Sequence, residues 1–316
     1  MSEQQKNLAF VFPGQGSQSV GMLTQLAANY PEVKQTFDKA SFVLGRDLWD
    51  LVANSTEDDL NQTQNTQPVM LAAGVAVWEV WCNHSTIRPA WMAGHSLGEY
   101  TALVCSGALF FEDAVKLVEA RARFMQEAVP AGVGAMAAIL GLDDKQVIEI
   151  CATVARTEVV SAVNFNSPGQ VVIAGHKAAV ERAASAAKEA GAKRAVLLPV
   201  SVPSHCALMQ SAADRLDEYM QDIALATPKM QLVHNVDVES HTAPEVIRNA
   251  LKEQLFKPVR WVESIDLMHN KGVTIFVECG SGKVLTGLDK RIVKEAEHLA
   301  IYDPESLNKV LEQLND

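Results

Sequence analysis

Met92-Ala93-Gly94-His95-Ser96-Leu97-Gly98-Glu99-Tyr100 joins a short apolar run to a helix-forming segment. Residues 90–93 read as a strand, and residues 99–105 read as a helix closed by Ser106-Gly107. Strand, tight turn and helix around Gly-x-Ser-x-Gly are the setting of a nucleophile elbow. The two glycines permit a turn sharp enough to push the Ser96 hydroxyl outward. A helix starting directly behind it turns free backbone N–H groups and the positive end of its dipole towards that hydroxyl. Negative charge developing on a substrate oxygen would be stabilised there. The plainer alternative is a glycine-bracketed turn with an N-capping serine, so the rest of the chain has to decide.

Upstream, Asn7-Leu-Ala-Phe-Val-Phe12 runs into Pro13-Gly14-Gln15-Gly16-Ser17. This reads as a buried parallel strand with a glycine-rich loop at its carboxyl end. The dinucleotide fingerprint fails, because Ser19 stands where its third glycine is required. Elbow enzymes take one oxyanion donor from the residue after the nucleophile and another from a separate loop after a strand. The backbone N–H groups of Leu97 and Gln15 suit those two roles; an ordinary strand–helix connection is the alternative for the glycine loop. Helices are expected at residues 20–29, 31–44 and 68–81. The longest apolar run, residues 69–78, suits a buried helix and is too short to span a bilayer.

Downstream, residues 111–128 read as a helix whose apolar face carries Leu117, Val118, Phe124 and Met125. Arg121 lies four after Leu117 and four before Met125, so it projects from the middle of that face. An inward guanidinium is costly unless an anion meets it. That anion is either an internal carboxylate or a substrate carboxylate held by the guanidinium fork. From residue 135 the order is strand (135–140), helix (143–154), strand (158–164), strand (170–174), helix (177–190) and strand (193–200), a ferredoxin-like βαββαβ sequence. The turn Asn164-Phe-Asn-Ser-Pro-Gly169 could face a cleft between this unit and the rest.

Val200-Ser-Val-Pro-Ser-His205-Cys206 then opens a helix expected to reach about residue 222, with Ser204 as N-cap and His205 in the first turn. A positive helix end there would keep the imidazole neutral and able to accept a proton. His205 follows Ser96 in chain order, as the histidine does in elbow enzymes. No acid is well placed before it, since Asp143 and Asp144 start a subdomain helix, so a backbone carbonyl is expected to orient the ring. Residues 244–255 read as helix, residues 254–261 as a turn, residues 273–277 as a buried strand and residues 304–314 as a closing helix. Gly280-Ser-Gly-Lys283 lacks the spacing of a phosphate loop.

Composition narrows the function class. The 316 residues suit one large domain or two coupled ones, and 48% hydrophobic content fills a core. A net charge of −11 argues against nucleic acid and anionic membrane surfaces as partners. Residues 1–6 are polar and do not read as a signal peptide. Five scattered cysteines without a C-x-x-C indicate neither a disulfide framework nor a zinc site, and fit a reducing cytoplasm. The eight histidines have no ligand spacing, so no metal is expected.

Phe12-Pro-Gly-Gln-Gly-Ser17, Gly94-His-Ser-Leu-Gly-Glu-Tyr100, Arg121-Ala-Arg-Phe-Met125, Val202-Pro-Ser-His205 and Gln254-Leu-Phe-Lys-Pro-Val-Arg-Trp261 together resemble the malonyl-CoA:acyl carrier protein transacylases of bacterial fatty acid synthesis. The resemblance covers nearly the whole chain in order. It departs only at Glu278-Cys-Gly-Ser-Gly-Lys283, where the family often has a proline before the second glycine. It implies an α/β fold: an α/β-hydrolase-like large domain with a parallel sheet (residues 1–130 and 198–316) and an inserted ferredoxin-like subdomain (residues 131–197). It further implies Ser96 as nucleophile, His205 as base, Arg121 as malonyl carboxylate ligand and the Gln15 and Leu97 N–H groups as the oxyanion hole. The turn at Gln254 would orient the histidine through its backbone, and Gln254 and Asn164 are expected to contact substrate. The implied reaction is ping-pong transfer of malonyl from malonyl-CoA to acyl carrier protein, with no cofactor and as a monomer. A serine thioesterase or esterase of the same fold is the alternative.

Overall fold

The computed structural model describes residues 7–200 and 202–315. Residues 1–6, read above as no signal peptide, lie outside the described residues. Five strands form a wholly parallel sheet in the order β7-β2-β1-β8-β9. They are β1 (Leu8–Phe12), β2 (Trp91–Gly94), β7 (Gln231–Val233), β8 (Ile275–Cys279) and β9 (Glu297–Ile301). β1 is buried along its whole length and alternates its side chains between two cores. Leu8, Phe10 and Phe12 pack on the side of the Thr63–His84 helix, with Phe10 against Trp78 and Trp81. Ala9 and Val11 pack with Ala93, Val233 and Trp261 on the other side.

Register places the two glycine loops together. Phe12 pairs with Gly94, so the Pro13–Gly16 loop and the elbow leave adjacent strands at the same level. The crevice at the carboxyl ends of parallel strands is where such sheets bind ligands. His234 and Asn235, directly after β7, emerge at this same edge.

Four further strands form a separate antiparallel sheet, in the order β4-β5-β3-β6. These are β3 (Gly134–Leu140), β4 (Val160–Ser167), β5 (Gln170–His176) and β6 (Arg194–Leu197). The Asp144–Ala155 and Lys177–Glu189 helices connect them and cover one face with a small alanine- and valine-rich core. Strand and helix order is the βαββαβ arrangement expected. The small sheet is joined to the turn before the Trp261–Asn270 helix, where Phe165 N–H donates to the Val259 carbonyl (3.0 Å) and Val259 N–H to that of Val163 (2.8 Å). Strand β4 runs past its expected end at Asn164 to Ser167, so Asn164 lies inside the strand and the turn tightens to Pro168-Gly169.

Two helices before the elbow start elsewhere than expected. The first helix begins at Thr24, because Gly21 and Leu23 take positive φ. The helix expected from Pro68 begins at Thr63 and contains that proline. Proline removes the N–H that would bond the Gln64 carbonyl. Arg46 donates to that carbonyl instead, at 2.9 Å. Among the described residues no helix is long and apolar enough to cross a membrane.

Candidate active site

The elbow is held by contacts that only glycine allows. A Cβ on Gly94 would lie 1.9 Å from the Gly98 backbone, and one on Gly98 would lie 2.0 Å from the Phe12 carbonyl oxygen. The chain doubles back so tightly that Ser96 takes φ 52°, a left-handed conformation costly for a residue with a side chain. Asn235 holds it there. Its Oδ1 accepts from Ser96 N–H (2.8 Å) and its Nδ2 donates to the Gly94 carbonyl (2.7 Å).

His205 reaches the hydroxyl from a turn. Its N–H donates to the Leu255 carbonyl (2.9 Å), its φ is 65°, and helical structure begins only at Ala207. Ser204 is thus not an N-cap, and His205 is not in a first helical turn. The imidazole is nonetheless neutral, for different reasons. Burial, reinforced by the nearby Arg121 guanidinium, pushes its pKa down to about 3, against an opposing hydrogen bond to Gln254. Nδ1 lies 2.6 Å from the Gln254 carbonyl oxygen, and a carbonyl can only accept, so Nδ1 carries the proton. Nε2 is left as the acceptor, 2.8 Å from Ser96 Oγ. The backbone carbonyl fixes the tautomer that an acid fixes in a Ser-His-Asp triad.

Arg121 comes from the buried face of the Phe111–Ala128 helix and is 1% exposed. It donates to Gln67 Oε1 (2.9 Å), Gln254 Oε1 (3.0 Å) and Ser96 Oγ (3.2 Å), and lies over the Tyr100 ring at 5.3 Å. All three acceptors are neutral, and its Nε has no partner among the described residues. Burial lowers the guanidinium pKa, while Tyr100 and Glu99 oppose that effect. Among the described residues no carboxylate contacts this cation, which stands beside the hydroxyl.

Ser96, His205 and Arg121 all line one cavity of about 240 Å³, together with Gln15, Leu97 and Asn164. Among the described residues the N–H groups of Gln15 and Leu97 have no acceptor. Gly14 brings their loops together: a Cβ there would meet the His95 carbonyl oxygen at 2.4 Å. Gln254 is placed otherwise than expected. Its side chain is wholly buried and outside the cavity, donating to the Ser96 carbonyl (2.9 Å) and to Glu99 Oε2 (2.8 Å). It touches the residues that line the site and not the space a substrate would fill. Asn164 faces the cavity with its Oδ1 unpaired among the described residues.

Sequence reasoning missed Gln67, His95, Glu99, Asn166, His234 and Asn235. His95 Nε2 lies 2.8 Å from Asn166 Oδ1, tying the elbow to the small sheet across the cavity. Burial lowers the His95 pKa, opposed by that hydrogen bond. The one available signal was Glu99, a charged residue among the apolar residues of the elbow helix.

The chain matches the family model for the acyl transferase domain over residues 9–303. It is 56% identical to the malonyl CoA-acyl carrier protein transacylase of Salmonella typhimurium over 305 residues, covering 96% of this chain and 99% of that one. The chain belongs to the malonyl CoA-acyl carrier protein transacylase family. A 1.7 Å crystal structure of an acyl carrier protein S-malonyltransferase from Vibrio cholerae O1 biovar eltor superposes with TM-score 0.94 at 57% identity, covering 96% and 99% of the two chains. A malonyl-transacylase solved in complex with its type II PKS acyl-carrier protein superposes with TM-score 0.96 at 54% identity, covering 97% and 99%. As a member of the transacylase family, the chain is an acyltransferase with an α/β fold.

Proposed function

We propose that this acyltransferase moves malonyl from malonyl-CoA to the phosphopantetheine thiol of acyl carrier protein, through an O-malonyl ester on Ser96. The observation that carries the reading is the convergence in one cavity of a hydroxyl, a neutral imidazole and a guanidinium whose direct acceptors are all neutral. His205 Nε2 takes the Ser96 proton as Oγ attacks the thioester carbonyl. The tetrahedral oxyanion is received by the Gln15 and Leu97 N–H groups. His205 becomes imidazolium, steadied by the Gln254 carbonyl on Nδ1–H. It returns the proton to the sulfur as the C–S bond breaks, and coenzyme A leaves.

The carrier thiol then repeats the steps in reverse order: His205 takes its proton, sulfur attacks the ester, and Ser96 Oγ leaves protonated. Arg121 exchanges its weak donation to Ser96 Oγ for the malonyl carboxylate, which orients the acyl group and selects for it. Asn164, with its free Oδ1, offers a polar contact to the donor's pantetheine amides. The reaction balances without a redox or metal step, so no cofactor is needed beyond the coenzyme A of the substrate. The enzyme acts as a monomer in the cytoplasm.

The test is to form the acyl-enzyme with malonyl-CoA and follow its decay with and without a carrier-protein thiol. Persistence in water and rapid discharge to the thiol support transfer. Rapid loss to water alone would make this a thioesterase. Light scattering at working concentration checks the monomer.

A further inference from the structure

Glu99 is fully buried in the first turn of the Gly98–Cys105 helix, on the far side of Gln254 from the cavity. Its oxygens receive three hydrogen bonds: from His234 Nδ1 (2.7 Å), Asn235 N–H (3.1 Å) and Gln254 Nε2 (2.8 Å). A carboxylate accepts and cannot donate, so the nitrogen of the Gln254 amide must face Glu99. Its oxygen then has to face Arg121, 3.0 Å away. One amide thus separates a buried anion from a buried cation, and the same residue's backbone oxygen holds His205.

The spacing has a consequence for binding. A carboxylate in direct contact with Arg121 would satisfy the fork and compete with any substrate carboxylate. With no anion at all, a buried guanidinium would be strongly destabilising. We propose that Glu99 is a positioning residue that sets the strength of the Arg121 site, supplying counter-charge from behind Gln254 so that the cation tolerates burial yet stays open to a substrate carboxylate. The proposal rests on the malonyl reading above and deepens it. Its alternative is that Glu99 only buttresses the elbow.

Binding of malonyl-CoA and acetyl-CoA, measured calorimetrically in a Ser96→Ala background, separates the two. Glu99→Gln keeps the shape and removes the charge, and a tautomer shift at His234 can accommodate the new amide. The Kd for malonyl-CoA is then expected to fall at least about threefold, the scale of one partly screened charge acting across an amide. The Kd for acetyl-CoA stays unchanged, and Glu99→Asp restores the parent value for malonyl-CoA. Equal changes for both ligands, or an unchanged or raised malonyl-CoA Kd, would overturn the proposal. Should Glu99→Gln not fold, Glu99→Asn removes the same charge from a shorter side chain. The same selective fall in the malonyl-CoA Kd is expected, with acetyl-CoA binding unchanged; an unchanged or raised malonyl-CoA Kd would overturn the proposal. A Ser96→Ala parent without preference for malonyl-CoA would instead overturn the malonyl reading, and this proposal with it.

Discussion

Ser96 Oγ and His205 Nε2 stand 2.8 Å apart, and both partners are steadied by the same residue. Gln254 accepts from His205 Nδ1 through its carbonyl and donates to the Ser96 carbonyl through its side chain. Nucleophile and base are therefore positioned against a common backstop, and movement of that residue would displace both.

Replacing His205 by alanine removes the proton acceptor and leaves the oxyanion donors in place. Acylation of Ser96 is expected to slow by about 10²- to 10⁴-fold. Stopped-flow measurement with malonyl-CoA gives the rate, and a fall of less than tenfold would speak against the base role.

Because the buried imidazole has its pKa depressed to about 3, pH should act on stability before it acts on the base. An unfolded histidine takes up its proton near pH 6.5, while the folded one stays neutral until about pH 3. In that window the unfolded state binds more protons, so this group's contribution to stability is lost as pH falls from about 6.5 towards 3, by about 1.4 kcal/mol per unit. Activity per folded enzyme should show no acid limb at the ordinary histidine pKa. A kcat/KM profile normalised to folded protein checks this, and a limb near pH 6.5 would contradict the assignment.

Arg121→Ala should lower kcat/KM for malonyl-CoA by about ten- to a hundredfold, the worth of hydrogen bonds to a charged group. Acetyl-CoA has no carboxylate to lose and should be accepted at least as well as before. Arg121→Lys should recover only part, since an ammonium lacks the planar fork. Unchanged discrimination between the two thioesters would refute the role.

Asn235→Leu keeps the volume and strips the clamp from the elbow. Ser96 N–H and the Gly94 carbonyl lose their 2.8 Å and 2.7 Å partners while Ser96 remains at positive φ. Stability should fall by about 2–4 kcal/mol, read by urea unfolding, with slower Ser96 acylation in the folded fraction.

Much of this was legible in the sequence because the signals were local. Apolar runs ending at glycines gave β1 and β2, and helical spacing alone aimed Arg121 inward, where it is found. The βαββαβ order of residues 134–197 followed from strand and helix patterns with clear turns. The His205 segment misled because a serine before a polar residue resembles an N-cap. The capping box is missing there, as Ala207 stands three residues on, and Pro203 favours extended chain. Glu99, His234, Asn235 and Gln254 could not be grouped from sequence. They lie up to 155 residues apart; the pairing of β2 with β7 brings His234 and Asn235 to Glu99, and Gln254 joins them from the end of the Pro244–Gln254 helix.

The most direct measurement is incubation of the purified protein with malonyl-CoA, followed by mass spectrometry of the intact chain and its peptides. One malonyl group per chain, carried on Ser96 and absent from Ser96→Ala, is the predicted result. No stable adduct, or an adduct on a cysteine that persists in Ser96→Ala, would contradict it.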